Sequence, residues 1–191
     1  MAGQETGGAA ASRLAAGTRA LVLTVSDGVA AGARTDKSGA AVSSRLEALG
    51  AAVDRALVAD DLDAIAAAIR DAAQTHELVV STGGTGLTPR DVTPQAVRSL
   101  LDYEIPGIGE AMRAAGRAST PLADLSRSLG GVCKGTLVVC LPGSPRGALE
   151  SLAAVEPLLA HALETLAGPY DHGRPASPSV AHDQGQEEDQ R

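Results

Sequence analysis

The chain has 191 residues, of which 37 are Ala and 22 Gly, with no Phe or Trp and two aromatic residues, Tyr103 and Tyr170. Sixteen Lys and Arg against 23 Asp and Glu leave a net charge of -7, the wrong sign for a surface that neutralises nucleic-acid phosphates. No apolar run reaches the ~18 residues needed to cross a bilayer, and residues 1–17 lack the charged start and apolar stretch of a secretory signal, so a cytosolic protein is expected.

Residues 1–18 and 171–191 are small or polar and read as disordered tails, which leaves one domain of about 19–170. Its first element is the apolar run Ala20–Val25, a buried strand, followed by a turn and a helix over Ser38–Leu49 that Gly50 ends. A second strand fits Ala52–Val58. Next, Leu62, Ile65, Ala66, Ile69 and Ala73 share one face of a helix that Asp60 or Asp61 can cap. Leu78–Ser81 is a third strand. Beyond a glycine loop, Thr93 before Pro94 reads as a cap for a helix running to about Leu101, and a further helix spans Gly107 to about Ser119. Asp124–Leu129 is ambiguous. Thr136–Leu141 is a strand, and Ser144-Pro145 opens a helix reaching Leu166. This alternation predicts an α/β fold with a largely parallel sheet covered on both faces and ligands at the carboxyl ends of its strands.

Two loops fall at such ends. In the first, Thr82, Gly83, Gly84, Thr85 and Gly86 directly follow a strand, and three glycines in five residues let the backbone turn its N–H groups toward an anion. The loop is neither a Walker A motif nor a dinucleotide fingerprint. Arg90 and Asp91 come next, and an acid beside a phosphate loop suggests Mg²⁺, whose charge offsets carboxylate–phosphate repulsion. Alternatively Asp91 caps a helix or pairs with Arg90. The second loop, Pro142, Gly143, Ser144, leads into a helix whose first N–H groups are unpaired.

Asp60 and Asp61 follow the second strand and belong to the same edge, where a carboxylate left over from capping could ligate a cation or grip a heterocycle. Ser26 and Asp27 end the first strand in a place where a simple hydrogen-bonded turn fits equally well. Cys133 and Cys140 lack zinc-site spacing and read as buried thiols, the four His make no ligand pair, and no nucleophile elbow occurs. What remains is a site for a phosphorylated ligand with a cation.

In order along the chain, Ser26-Asp27, 58-VADD-61, 79-VVSTGGTG-86, 90-RDVTP-94, 105-IPGIGEAMR-113 and 141-LPGSP-145 resemble the molybdopterin adenylyltransferase family, the Mog/MoaB-like proteins whose fold recurs in the G domain of gephyrin. The resemblance covers about residues 19–168 and implies a three-layer α/β sandwich, usually a homotrimer. It further implies Mg-ATP-dependent adenylylation of the terminal phosphate of molybdopterin, releasing pyrophosphate, with the product handed to a molybdate-inserting enzyme. Asp60 and Asp91 match the family's two important aspartates and would hold Mg²⁺ and orient phosphates, while the glycine loop and 142-PGSP-145 cradle phosphate and pterin. A paralogue with the same loops could instead carry molybdopterin without reacting it. Two departures stand out: Ala59 replaces a common Pro, which would loosen Asp60, and Gln95 replaces a frequent acid.

Overall fold

The computed structural model describes residues 13–168. In chain order the elements are β1 (Arg19–Val25), α1 (Asp27–Ala30), α2 (Lys37–Ala48), β2 (Ala52–Val58), α3 (Leu62–Ala72), β3 (Leu78–Thr82), α4 (Thr93–Arg98), β4 (Tyr103–Glu104), α5 (Pro106–Gly116), a 3-10 turn (Pro121–Leu125), β5 (Leu129–Cys133), β6 (Thr136–Leu141) and α6 (Pro145–Ala167).

Strand pleating sorts the core into two halves. Along β1, Ala20 and Val22 point to one face of the sheet and Leu21, Leu23 and Val25 to the other, as the two-residue period requires. The first face packs on Val42 and Leu46 of α2, Ile108 and Met112 of α5, and Leu152, Val155 and Leu159 of α6. The second packs on Ile65, Ala66 and Ile69 of α3 and on Ala96 and Val97 of α4. The result is the expected three-layer sandwich, with a β2-β1-β3-β6-β5-β4 sheet among the described residues.

Strands β2, β1, β3 and β6 run parallel. The chain leaves β1 toward β2 on one side and later returns to β3 on the other, so a topological switch point lies at the carboxyl ends of β1 and β3. Every loop singled out in the sequence leaves the sheet at that edge.

Strict alternation of strand and helix does not hold. Residues 129–141 form an antiparallel hairpin, turned by Lys134 and Gly135 at φ 51° and 81°, the signs of a type I′ turn. Its first strand escaped the sequence pattern because Gly130 and Gly131 interrupt it. A Cβ on Gly130 would stand 2.6 Å from two Ile108 side-chain atoms, and one on Gly131 2.6 Å from the Tyr103 carbonyl oxygen. Those glycines let α5 and β4 lie against the hairpin. The same pairing shortens α4, which ends at Arg98 rather than Leu101 because the Asp102 N–H donates to the Val132 carbonyl at 2.8 Å. Helix α5 likewise stops at Gly116, short of Ser119.

Asp61, not Asp60, caps α3, its Oδ1 accepting the Ala64 N–H at 2.9 Å. Thr93 caps nothing: Val92 occupies the N-cap of α4 without a side-chain bond. At the amino end, the expected tail through residue 18 lies partly outside the described residues. Over 13–18 the chain packs instead, with Leu14 buried in the first core half and its N–H bonded to the Leu49 carbonyl at 2.9 Å. The expected tail at 171–191 falls outside the described residues. No helix among those described is long and apolar enough to cross a membrane.

Leu152 is wholly buried on α6 within the first core half. Leu152→Ala is expected to lower the unfolding free energy by about 2–5 kcal/mol, measured by urea denaturation; a loss under about 0.5 kcal/mol, ordinary for surface sites, would contradict this packing.

Candidate functional site

Gly83 and Gly84 adopt φ of +107° and +62°, where a side chain is strained. A Cβ on Gly83 would meet the Val25 carbonyl oxygen at 2.1 Å, so the loop turns directly against the end of β1. Its shape is fixed from below by Thr93, fully buried, whose Oγ1 donates to the Gly83 carbonyl at 2.9 Å and whose N–H donates to the Gly84 carbonyl at 3.1 Å. Thr82 Oγ1 donates to the Pro142 carbonyl at 2.8 Å, which ties the two predicted loops together.

The two carboxylates expected to hold a cation each sit beside a different glycine of this loop. A Cβ on Gly84 would be 3.2 Å from Asp60 Oδ1, and one on Gly86 3.0 Å from Asp91 Oδ2. Asp60 is held by a reciprocal pair: the Asp27 N–H donates to Asp60 Oδ2 at 2.8 Å, and the Asp60 N–H donates to Asp27 Oδ1 at 3.0 Å. Two backbone bonds thus fix the segment that Ala59 was expected to loosen. Asp27 in turn accepts Arg90 through Nε at 3.0 Å and NH2 at 2.7 Å. That hydrogen bond, with the Asp60 N–H, holds the Asp27 carboxyl below its ordinary range. Arg90 therefore pairs with Asp27, not with Asp91. Ser26 is the N-cap of α1, its Oγ accepting the Val29 N–H at 3.3 Å.

Asp91 lies in a turn of its own, its Oδ2 accepting the Thr88 N–H at 2.8 Å and the Thr88 hydroxyl at 2.6 Å. Partial burial pushes its carboxyl up, but the Thr88 hydroxyl, the N–H groups of Thr88 and Gly86 and the charge of Arg127 outweigh it and hold Asp91 below the usual value of 3.8. Among the described residues no three His, Cys, Asp or Glu side chains gather as a metal cage. Mg²⁺ does not need one, since it keeps several waters and takes one or two carboxylates together with substrate phosphates. Asp60 beside Gly84 and Asp91 beside Gly86 are carboxylates of that kind next to the glycine loop.

Two cavities flank 142-PGSP-145. One, about 550 Å³, is lined by Thr85, Gly86, Asp91, Pro142, Gly143 and Ser144, and by Leu87, Met112, Leu122, Leu125, Ser126 and Glu150, which the sequence reading missed. The other, about 460 Å³, is lined by Ser26, Thr82, Gly143 and Ser144 with Arg34, Asp36, Lys37 and Ser38. Asp27, Asp60, Gly83, Gly84 and Arg90 line neither and stand in the segments that follow β1, β2 and β3. Ser144 caps α6, its Oγ accepting the Gly147 N–H at 3.2 Å. Of the missed apolar residues, Leu87 follows the glycine loop, Met112 lies on α5 and Leu122 and Leu125 on the 3-10 turn, segments that carry no local signal of a pocket. Cys140 is fully buried, and burial pushes its thiol up to about 12; it is inert.

Residues 21–161 match the family described as "Probable molybdopterin binding domain". The chain belongs to the Mog/MoaB family of molybdopterin biosynthesis proteins. It is 44% identical to the MoaB enzyme of Thermus thermophilus, superposing with a TM-score of 0.73 over 81% of this chain and 99% of that one. The Mog protein of Mycobacterium ulcerans gives a TM-score of 0.75 at 35% identity, covering 78% and 99%. Among curated proteins, a molybdenum cofactor biosynthesis bifunctional protein of Synechococcus elongatus is 48% identical over 83% of this chain, which spans half of that protein's length. A molybdopterin adenylyltransferase of Helicobacter pylori is 36% identical over 60% of this chain and 66% of its own. The predicted fold and resemblance therefore hold.

Two expectations follow from the geometry. Gly83→Ala should destabilise the protein by more than about 1 kcal/mol, since φ is positive, whereas Gly107→Ala, with open space around its Cβ position, should be neutral or stabilising; equal melting shifts would contradict this. A lowered folded-state pKa means that Asp91 adds stability above its unfolded value and loses it as pH falls through the folded one. The stability difference between wild type and Asp91→Asn should therefore be constant from neutral pH to about pH 5 and shrink below about pH 4; a difference that changed between pH 6 and 8 would contradict the assignment.

Proposed function

We propose that this protein transfers the adenylyl group of Mg-ATP to the terminal phosphate of molybdopterin, giving adenylylated molybdopterin and pyrophosphate. The observation that carries the reading is the pair of carboxylates, Asp60 and Asp91, set against two glycines of one anion-binding loop beside a large, partly apolar cavity. In this reading the cavity bounded by Leu87, Met112, Leu122 and Leu125 receives the flat pterin, and the N–H groups of the glycine loop and of the α6 start hold phosphate. Mg²⁺ bound through Asp60 and Asp91 would supply charge neutralisation to the reacting phosphates. Nothing nucleophilic is required of the protein: the molybdopterin phosphate attacks the α-phosphorus of ATP and pyrophosphate leaves, so catalysis reduces to alignment and electrostatics. The name of the Helicobacter pylori relative supports the same reaction.

Arg34 and Lys37 in the second cavity supply positive charge suited to the polyphosphate of the nucleotide. The protein is further proposed to act as a homotrimer that passes its product to a molybdate-inserting enzyme; a sedimentation mass of one chain would contradict the trimer.

Purified protein with Mg-ATP should release pyrophosphate only when molybdopterin is present. Asp91→Asn should cut the rate by about 100- to 1,000-fold, as loss of one charge-stabilising group does elsewhere. Tight molybdopterin binding without pyrophosphate release would make the protein a carrier instead.

A further inference from the structure

From Gly86 to Arg90 the chain is exposed, with Leu87 65% accessible. Most of what this segment bonds to is itself: Thr88 donates twice to Asp91 Oδ2, and the Asp91 N–H donates to the Thr88 carbonyl at 3.0 Å. The Arg90–Asp27 pair lies at its rim, with the two side chains 64% and 49% exposed, where solvent screens it. The backbone is tied to the body of the protein at three carbonyls, and one residue reaches all three. The Arg127 N–H donates to the Thr85 carbonyl at 3.0 Å, its Nε to the Gly86 carbonyl at 2.7 Å and its NH2 to the Asp91 carbonyl.

Arg127 comes at the segment from behind. It lines a separate polar cavity of about 290 Å³ with Arg98, Glu104 and Arg113, and takes no part in the lining of the 550 Å³ cavity that Asp91 faces. Its own stretch of chain is braced in turn. Arg113 on α5 donates through NH1 to the Ser128 carbonyl at 3.0 Å and the Ser126 carbonyl at 3.4 Å, and the Ser126 and Ser128 hydroxyls lie 2.9 Å apart. A guanidinium suits this task because its planar fork presents two donors at fixed angles, whereas an ammonium is a single mobile point.

We propose that Arg127 is a positioning residue, which pins the 85–91 segment so that Asp91 and the Gly86 backbone keep their ligand-facing arrangement without Arg127 touching the ligand. The proposal deepens the adenylyltransferase reading and rests on it only for its kinetic arm.

The test compares wild type, Arg127→Met and Arg127→Lys as full chains by hydrogen exchange, molybdopterin affinity and steady-state pyrophosphate release. Arg127→Met should speed amide exchange over residues 86–92 by about tenfold or more while leaving β3 and β6 unchanged. It should lower kcat by up to about 100-fold, as misplacing a catalytic group does, with KM for Mg-ATP kept within about twofold. Arg127→Lys, which restores the charge and one donor, should fall between, and it carries the comparison alone should Arg127→Met fail to fold. Unchanged exchange over 86–92 would overturn the proposal, and so would fast exchange with wild-type kcat. If the wild-type chain releases no pyrophosphate, the adenylyltransferase reading fails by itself; weakened molybdopterin binding in the fast-exchanging variants then upholds the role of Arg127, and unchanged binding overturns it.

Discussion

The site depends on one close approach. Gly83 turns so tightly over the end of β1 that the Val25 carbonyl occupies the place of a side chain, while its N–H donates to the Leu141 carbonyl at 3.2 Å and a Cβ on Gly143 would touch its α-carbon at 3.2 Å. Three parallel strands, β1, β3 and β6, thus end within contact distance of a single residue that has no side chain. Any larger residue would push these ends apart, and with them the groups that follow: Asp27 after β1, the glycine loop after β3 and Ser144 after β6. Parallel pairing makes this convergence possible, because it brings every strand's carboxyl end to one edge.

Around that point the polar groups are arranged as braces rather than as free reagents. Asp27 and Asp60 exchange backbone N–H bonds and lock the loops after β1 and β2 together. Thr93, buried beneath the glycine loop, answers two carbonyls that would otherwise be unpaired in the interior, where such groups are costly. The proposed catalysis by alignment would need such rigidity, since a transfer between phosphates offers a protein little covalent chemistry to perform.

Much of this was legible in the chain, and the parts that were not share a cause. Local patterning was sufficient for β1, β2, β3, β6 and the long α6, because each carries an apolar run or a helical stripe of its own. It was also sufficient to bring Asp60, Asp91, the glycine loop and 142-PGSP-145 to one edge, since strand order alone decides that. The hairpin strand β5 stayed hidden because Gly130 and Gly131, which make room for Ile108 and Tyr103 to pack over them, have little strand propensity of their own. Thr93 before Pro94 has the local signature of a cap, yet its hydroxyl answers a tertiary demand from Gly83. The apolar wall of Leu87, Leu122 and Leu125 and the reach of Arg127 across 36 residues to Asp91 are likewise tertiary facts that no window of sequence contains.

The central claim is that one set of phosphates meets both carboxylates across the glycine loop. A crystal structure with molybdopterin, Mg²⁺ and a non-hydrolysable ATP analogue tests it most directly. The account predicts phosphate oxygens on the N–H groups of Gly84 and Thr85, Mg²⁺ held by Asp60 and Asp91, and the pterin against Met112 and Leu125. Phosphates seated away from that loop, or a metal ion held by neither aspartate, would contradict it.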